Sequence, residues 1–225
     1  MEQDSGMEIA IIGTGQVGGA LARGLSRAGH ALWIGAREPD AETVRALCAA
    51  TGAAAAPPAE AAAGAEVAIL AVPWGAVDAV AAEIGAQAGG IVIDCTNPLG
   101  LVDGALGLML GFADSGGERV ARLLPGARVV KTLNQVGAEI METAPDLPHR
   151  PAMFMAGDDD AAKAAVAGLL ADLGFEALDA GDLTLARLLE PLGMVWINQA
   201  LARGKGRRWA LAAVEAPAEA AERTR

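Results

Sequence analysis

An apolar run near the start of the chain breaks into Gly13-Thr14-Gly15-Gln16-Val17-Gly18 and resumes as a helical pattern. No other stretch constrains the fold as much. In a strand–turn–helix unit the first glycine permits a tight turn and the second lets backbone approach a pyrophosphate. The third lets the helix pack against the strand. N–H groups freed at the helix start suit an anion. The spacing carries weight only in context, and the context is present. Apolar residues 7–12 precede it, and Val17, Leu21 and Leu25 follow at helical spacing. Gly13, Thr14, Gly15, Gln16 and Val17 are therefore expected to hold a dinucleotide.

Downstream, apolar β-type runs alternate with helical patterns. Strands are expected at 7–12, 31–36, 67–72, 91–94 and 128–133, with two more at 153–156 and 176–179. Helices are expected at 16–28, 41–51, 76–84, 136–143, 161–173 and 183–202. Pro57-Pro58 marks a loop with a short helix. Continuous apolar strands separated by helices imply a sheet covered on both faces. The expected class is α/β, a doubly wound parallel sheet of the Rossmann type with a small helical C-terminal part. Residues 7–180 form the nucleotide-binding domain in this reading. Residues 181–214 form a helical segment, and 215–225 a flexible tail. The Gly-rich stretch 99–117, with Met109, Leu110 and Phe112, reads as a loop that either covers a ligand or packs ordinarily.

With 17 basic and 28 acidic residues the net charge is −11, which argues against a nucleic-acid or anionic-membrane surface. An anionic cofactor must then be met by local positive groups. Cys48 and Cys95 lack metal-ligand spacing and read as reduced thiols of a cytoplasmic protein, so no metal is expected. No run is long and apolar enough to span a membrane.

An enzyme that prefers NAD usually ends its second strand in a carboxylate that binds the ribose. Here that strand ends Gly35-Ala36-Arg37. A guanidinium holds a 2′-phosphate that a carboxylate would repel, so NADP(H) is expected, with Thr14 adding a hydroxyl. Glu38 and Asp40 place negative charge beside Arg37 and soften the signal. The third strand ends Ala71-Val72-Pro73-Trp74, where Val72 and Pro73 would flank a cofactor ribose. Trp74 either lies near the nicotinamide or packs under the loop. His30 and His149 fall away from the expected crevice, and Lys131 reads as structural. No catalytic acid or base is named. A carbinol substrate needs a group to take its proton. Hydride exchange with a flavin-like ring needs mainly alignment of two rings.

The segments Ile11–Arg37, Asp94-Cys95-Thr96-Asn97-Pro98-Leu99, Val130-Lys131-Thr132-Leu133-Asn134, Met155-Ala156-Gly157-Asp158-Asp159 and Gly181–Trp196 resemble the NADPH-dependent deazaflavin reductases. These are the coenzyme F420:NADP oxidoreductases, and the reductase domains of six-transmembrane metalloreductases are similar. The resemblance spans about residues 7–210. It implies hydride transfer between NADP(H) and a deazaflavin co-substrate, with no protein base. It implies that Thr14 and Arg37 contact the 2′-phosphate, with Ala36 beside them in the cofactor site, and that Gly13, Gly15, Gln16 and Val17 hold the pyrophosphate. Val72, Pro73, Asn97, Leu133 and Asn134 would lie near the ribose and nicotinamide, and Pro98, Asn134 and Met194 on the acceptor side. The family often carries Ser or Thr before the arginine and a basic residue after it. Ala36 and Glu38 stand there instead.

Asn134 can equally cap the following helix. The cluster Arg203, Lys205, Arg207, Arg208 either meets the acidic tail of a deazaflavin or balances a helix C-terminus, the second being favoured. The apolar helix 183–202 is expected to be buried in a homodimer. Competing readings are reduction of a small imine, carbonyl or ferric chelate, and a non-catalytic NADP(H)-binding sensor.

Overall fold

A computed structural model describes residues 6–85 and 89–216. The strands are β1 (Glu8–Ile12), β2 (Ala31–Gly35), β3 (Ala54–Ala56), β4 (Val67–Leu70) and β5 (Ile91–Asp94), then β6 (Leu99–Val102) and β7 (Ala105–Leu108), then β8 (Arg128–Lys131), β9 (Ala152–Gly157) and β10 (Glu176–Asp179). The helices are α1 (Gln16–Arg27), α2 (Glu42–Thr51), α3 (Pro58–Ala62), α4 (Val77–Ile84), α5 (Gly116–Leu123), α6 (Ala138–Thr143), α7 (Asp160–Asp172) and α8 (Ala186–Ile197). One sheet runs β10-β9-β8-β5-β4-β1-β2-β3, and β6 with β7 forms a separate hairpin.

Strand alternation builds a core on each face. Ile9, Ile11, Ile34, Ile69 and Ile93 meet Leu21 and Leu25 of α1, Met141 of α6 and Leu169 of α7. Ala10, Ile12, Leu70 and Val92 meet Ala61 of α3, Ala81 of α4 and Val120 of α5. The sheet is covered on both sides, as the continuous apolar strands require.

The sheet departs from the expected all-parallel order at one edge. β9 runs antiparallel to β8, with Val130 opposite Gly157, and β10 follows β9 in parallel. The link from β8 holds the short α6 and a 3₁₀ turn (Ala144–Asp146), and β9 starts at the carboxyl end of β8. A buried apolar strand reads alike in either direction. The loop expected at 99–117 contains the β6–β7 hairpin and the start of α5. Ser115 caps α5 by accepting from the Glu118 N–H at 3.2 Å, and its hydroxyl donates to the Glu118 carboxylate at 2.7 Å.

The helix expected at 183–202 is a 3₁₀ turn (Leu183–Leu185), α8, and a wider π turn (Asn198–Ala202). It climbs the sheet. The Leu183 N–H donates to Asp158 just past β9, at 2.8 Å. Gly193, seven residues after the start of α8, lies against Asn134 beyond the carboxyl end of β8. The expected flexible tail 215–225 lies outside the described residues from 217 on. Among the described residues no helix is long and apolar enough to cross a membrane.

Candidate active site

The glycine loop is built as its spacing requires. Gly13 sits at φ +117°, where a Cβ would approach the Ala71 carbonyl to 2.4 Å. A Cβ on Gly18 would come within 2.0 Å of the Gly13 carbonyl oxygen. At Gly15 nothing lies within 4 Å of a Cβ, so a ligand can approach the backbone there. Gly15 also begins α1, which has no side-chain cap and no acid in its first turn. Its first N–H groups and the positive end of its dipole are left for an anion.

Two clefts open beside this loop. A crevice of about 260 Å³ is lined by Gly15, Gln16, Val17, Ala71, Val72, Pro73 and Cys95. A groove of about 460 Å³ between α1 and α2 takes in Thr14, Arg23 and Thr43. The structure thus brings Gly15, Gln16 and Val17 together with Val72 and Pro73. Arg37 is exposed and joins no ion pair among the described residues, while Ala36 is buried with its N–H on the Ala56 carbonyl at 3.0 Å. Trp74 turns away from the crevice: its ring packs on Gly116, and the Arg119 guanidinium lies 5.9 Å from its centre. Cys95, read from the sequence only as a reduced thiol, lines the crevice. Burial, with the Asp94 carboxylate second, pushes its thiol pKa up, so it is not a thiolate.

Behind the crevice lies a buried charge network that sequence reasoning missed. The Lys131 ammonium reaches Asp94 at 2.9 Å, Glu190 at 3.0 Å and the Thr96 carbonyl. Glu190 also accepts from the N–H groups of Gly116 and Gly117, at 3.0 and 3.1 Å, at the start of α5. Burial opposes the charge on Lys131, but the two carboxylates outweigh it and hold its pKa above the ordinary value. Two lone charges in apolar runs, Lys131 in a strand and Glu190 in a helix, were the available signal.

In front, two amides lock together. Asn97 Nδ2 donates to the Asn134 carbonyl at 2.8 Å. Asn134 Nδ2 donates to Asn97 Oδ1 at 2.9 Å and to the Leu189 carbonyl at 3.0 Å. Leu133 adopts φ +60° while buried, which turns the chain sharply at this point. Asn134 therefore does not cap α6, whose N-cap is Gly137 without a side-chain bond. Past the amides, Leu108, Pro191, Met194, Val195 and Asn198 line an apolar groove of about 310 Å³. Pro98 lies at the foot of the hairpin and accepts from the Met109 N–H at 2.7 Å.

The histidines lie elsewhere. His30 accepts from the Met7 N–H and meets Asp172, both at 3.1 Å, and His149 is exposed. Among the described residues no three metal-ligating side chains cluster.

Residues 8–98 match the family model described as NADP oxidoreductase, coenzyme F420-dependent. A crystal structure from Arthrobacter sp. FB24, of a protein provisionally described as an F420-dependent NADP reductase, superposes at a TM-score of 0.84. It is 35% identical, with 93% of this chain and 100% of that chain covered. A hypothetical protein from Sinorhizobium meliloti gives a TM-score of 0.69 at 28% identity over 81% of this chain and 88% of that one. A reductive aminase from Aspergillus terreus, solved with NADPH and ethyl-5-oxohexanoate, shares the fold at a TM-score of 0.65. Its identity is 21%, over 88% of this chain and 63% of that one.

Proposed function

The chain belongs to the coenzyme F420-dependent NADP oxidoreductases, and from that premise we propose that it moves a hydride between NADP(H) and a deazaflavin acceptor. Bound NADPH supplies the hydride from its nicotinamide ring. The α1 N-terminus and Gly15 hold the pyrophosphate, and Thr14 and Arg37 take the 2′-phosphate. Val72, Pro73 and Cys95 flank the ring, and Met194 with Pro191 and Leu108 forms the apolar wall for the acceptor.

One observation carries this reading. The ionisable side chains nearest the strand ends, Asp94, Lys131 and Glu190, are buried and committed to one another. The nearby amides Asn97 and Asn134 are likewise committed to each other and to backbone. Among the described residues lining the crevice the ionisable group is the Cys95 thiol, which burial keeps protonated, while ring-to-ring hydride transfer requires only alignment. Reduction of a small imine or carbonyl would need such a donor. Following NADPH absorbance with F420, FMN, ferric chelates and cyclic imines tests the reading. Turnover with the deazaflavin is expected. Turnover confined to imines or chelates overturns it, and tight NADPH binding with no turnover points to a sensor.

We further propose a homodimer. Leu188, Val195 and Leu201 stand exposed along α8 and its π turn, and Leu101, Leu106, Met109 and Phe112 on and beside the hairpin. Sedimentation at micromolar concentration should give twice the chain mass, and a monomer there rejects the proposal.

A further inference from the structure

Residues 203–208 read Arg-Gly-Lys-Gly-Arg-Arg in a chain of net charge −11. Two anchors fix this loop. Arg207 pairs with Glu139 at 2.8 Å. Trp209 stacks on Trp196 with ring centres 5.7 Å apart, and Trp196 Nε1 donates to the Trp209 carbonyl. The other three cations, Arg203, Lys205 and Arg208, are exposed and have no carboxylate partner among the described residues. The Lys205 ammonium lies 4.9 Å from the centre of the Trp209 ring. The carbonyl end of a helix accounts for a neighbouring cation. Three without a carboxylate repel one another and present a field that suits an anion.

The loop also lies in a telling place. The Arg203 N–H donates to the Asn198 carbonyl at 3.0 Å, and the Lys205 N–H to that of Gln199 at 3.1 Å. Asn198 itself lines the apolar groove with Met194 and Pro191. A Cβ on Gly137, three residues past Asn134, would sit 3.1 Å from the Arg207 carbonyl. The cations thus stand at the carboxyl end of β8, next to the acceptor wall and far along the chain from the glycine loop.

We propose that Arg203, Lys205 and Arg208 form a subsite for an anionic tail on the hydride acceptor. The acceptor class is then a flat ring bearing a phosphate or carboxylate chain. The ring lies on the apolar groove, and the tail crosses the basic loop. This rests on the deazaflavin reading above.

Steady-state kinetics at saturating NADPH test it with two acceptor pairs that differ only in the tail: F420 with its tail-less deazaflavin core, and FMN with riboflavin. With Arg203→Glu, Lys205→Glu and Arg208→Glu combined, KM for the tailed member should rise at least about tenfold. KM for the tail-less member and the Kd for NADPH should stay within about twofold. In the unaltered protein the advantage of the tailed member should shrink as salt rises from about 0.05 to 0.5 M. Equal KM for both members, or a loss shared by both, overturns the subsite while leaving the deazaflavin reading intact. No turnover of either pair by the unaltered protein overturns both. A parallel rise in the Kd for NADPH would assign the loop to the nucleotide and also overturn the subsite.

Discussion

Lys131 and Glu190 meet at 3.0 Å with 0% and 1% of their side chains exposed, and join the last strand of the parallel set to the last helix. β5 enters through Asp94 and α5 through two backbone N–H groups. Four elements thus converge on one buried network.

Replacing Lys131 by Met leaves two buried carboxylates without a counter-charge. Breaking such a pair costs roughly 3–5 kcal/mol. For a chain of this size each kcal/mol is worth about 2–4 °C in Tm. A fall of more than about 6 °C is expected by calorimetry. A fall of under about 2 °C would mean that water reaches the network.

Gly193 seats α8 on the amide pair. A Cβ there would lie 2.8 Å from the Asn134 carbonyl oxygen and 2.9 Å from Asn97 Oδ1. Gly193→Ala must push α8 outward, at a cost of about 1–3 kcal/mol. The acceptor KM should rise and the Kd for NADPH should hold. Equal losses in both would show that α8 does not act on the acceptor side alone.

Arg37→Ala should remove the charge-assisted contact proposed with the 2′-phosphate, worth roughly 1.5–3 kcal/mol, about ten- to a hundredfold in affinity. The whole loss should fall on NADPH, with NADH binding unchanged in parallel fluorescence titrations. Equal weakening of both would remove Arg37 from the 2′-phosphate.

The Glu118 carboxylate joins α5 to α8 through Arg187, with N–O distances of 2.6 and 2.9 Å. The Arg187 bond, against burial and aided by Ser115, holds its pKa below the ordinary value of about 4.3. A lowered pKa contributes stability above the ordinary value and loses it as pH falls through the folded one. Urea melts should therefore find Glu118→Gln less stable than the unaltered protein at pH 7, with the gap closing below about pH 4. A gap that persists in acid would trace to packing instead of charge.

The nucleotide half was the legible half. Ile9 to Leu25 combine strand alternation, three glycines with separate steric duties and helical spacing, so pattern and packing agree. The reversal at β9 was hidden because Met153, Met155 and Ala156 look alike read up or down. The hairpin was hidden because Gly100, Gly104 and Gly107 read as loop. Glu190 and Lys131 lie fifty-nine positions apart by number, and only the fold brings their charges together. Trp74 was open in the sequence between a place near the ring and packing under the loop, and its ring packs on Gly116.

The reversal of β9 also fixes the order in which a growing chain acquires its parts. The glycine loop, Arg37 and the strand ends through Asn134 are all made before the sheet turns back. Because β9 and β10 return the chain to the foot of the sheet, only the ascent of α8 delivers Glu190, Gly193 and Met194. A ribosome thus completes the parts proposed to grip a nucleotide well before it adds the wall proposed for the acceptor.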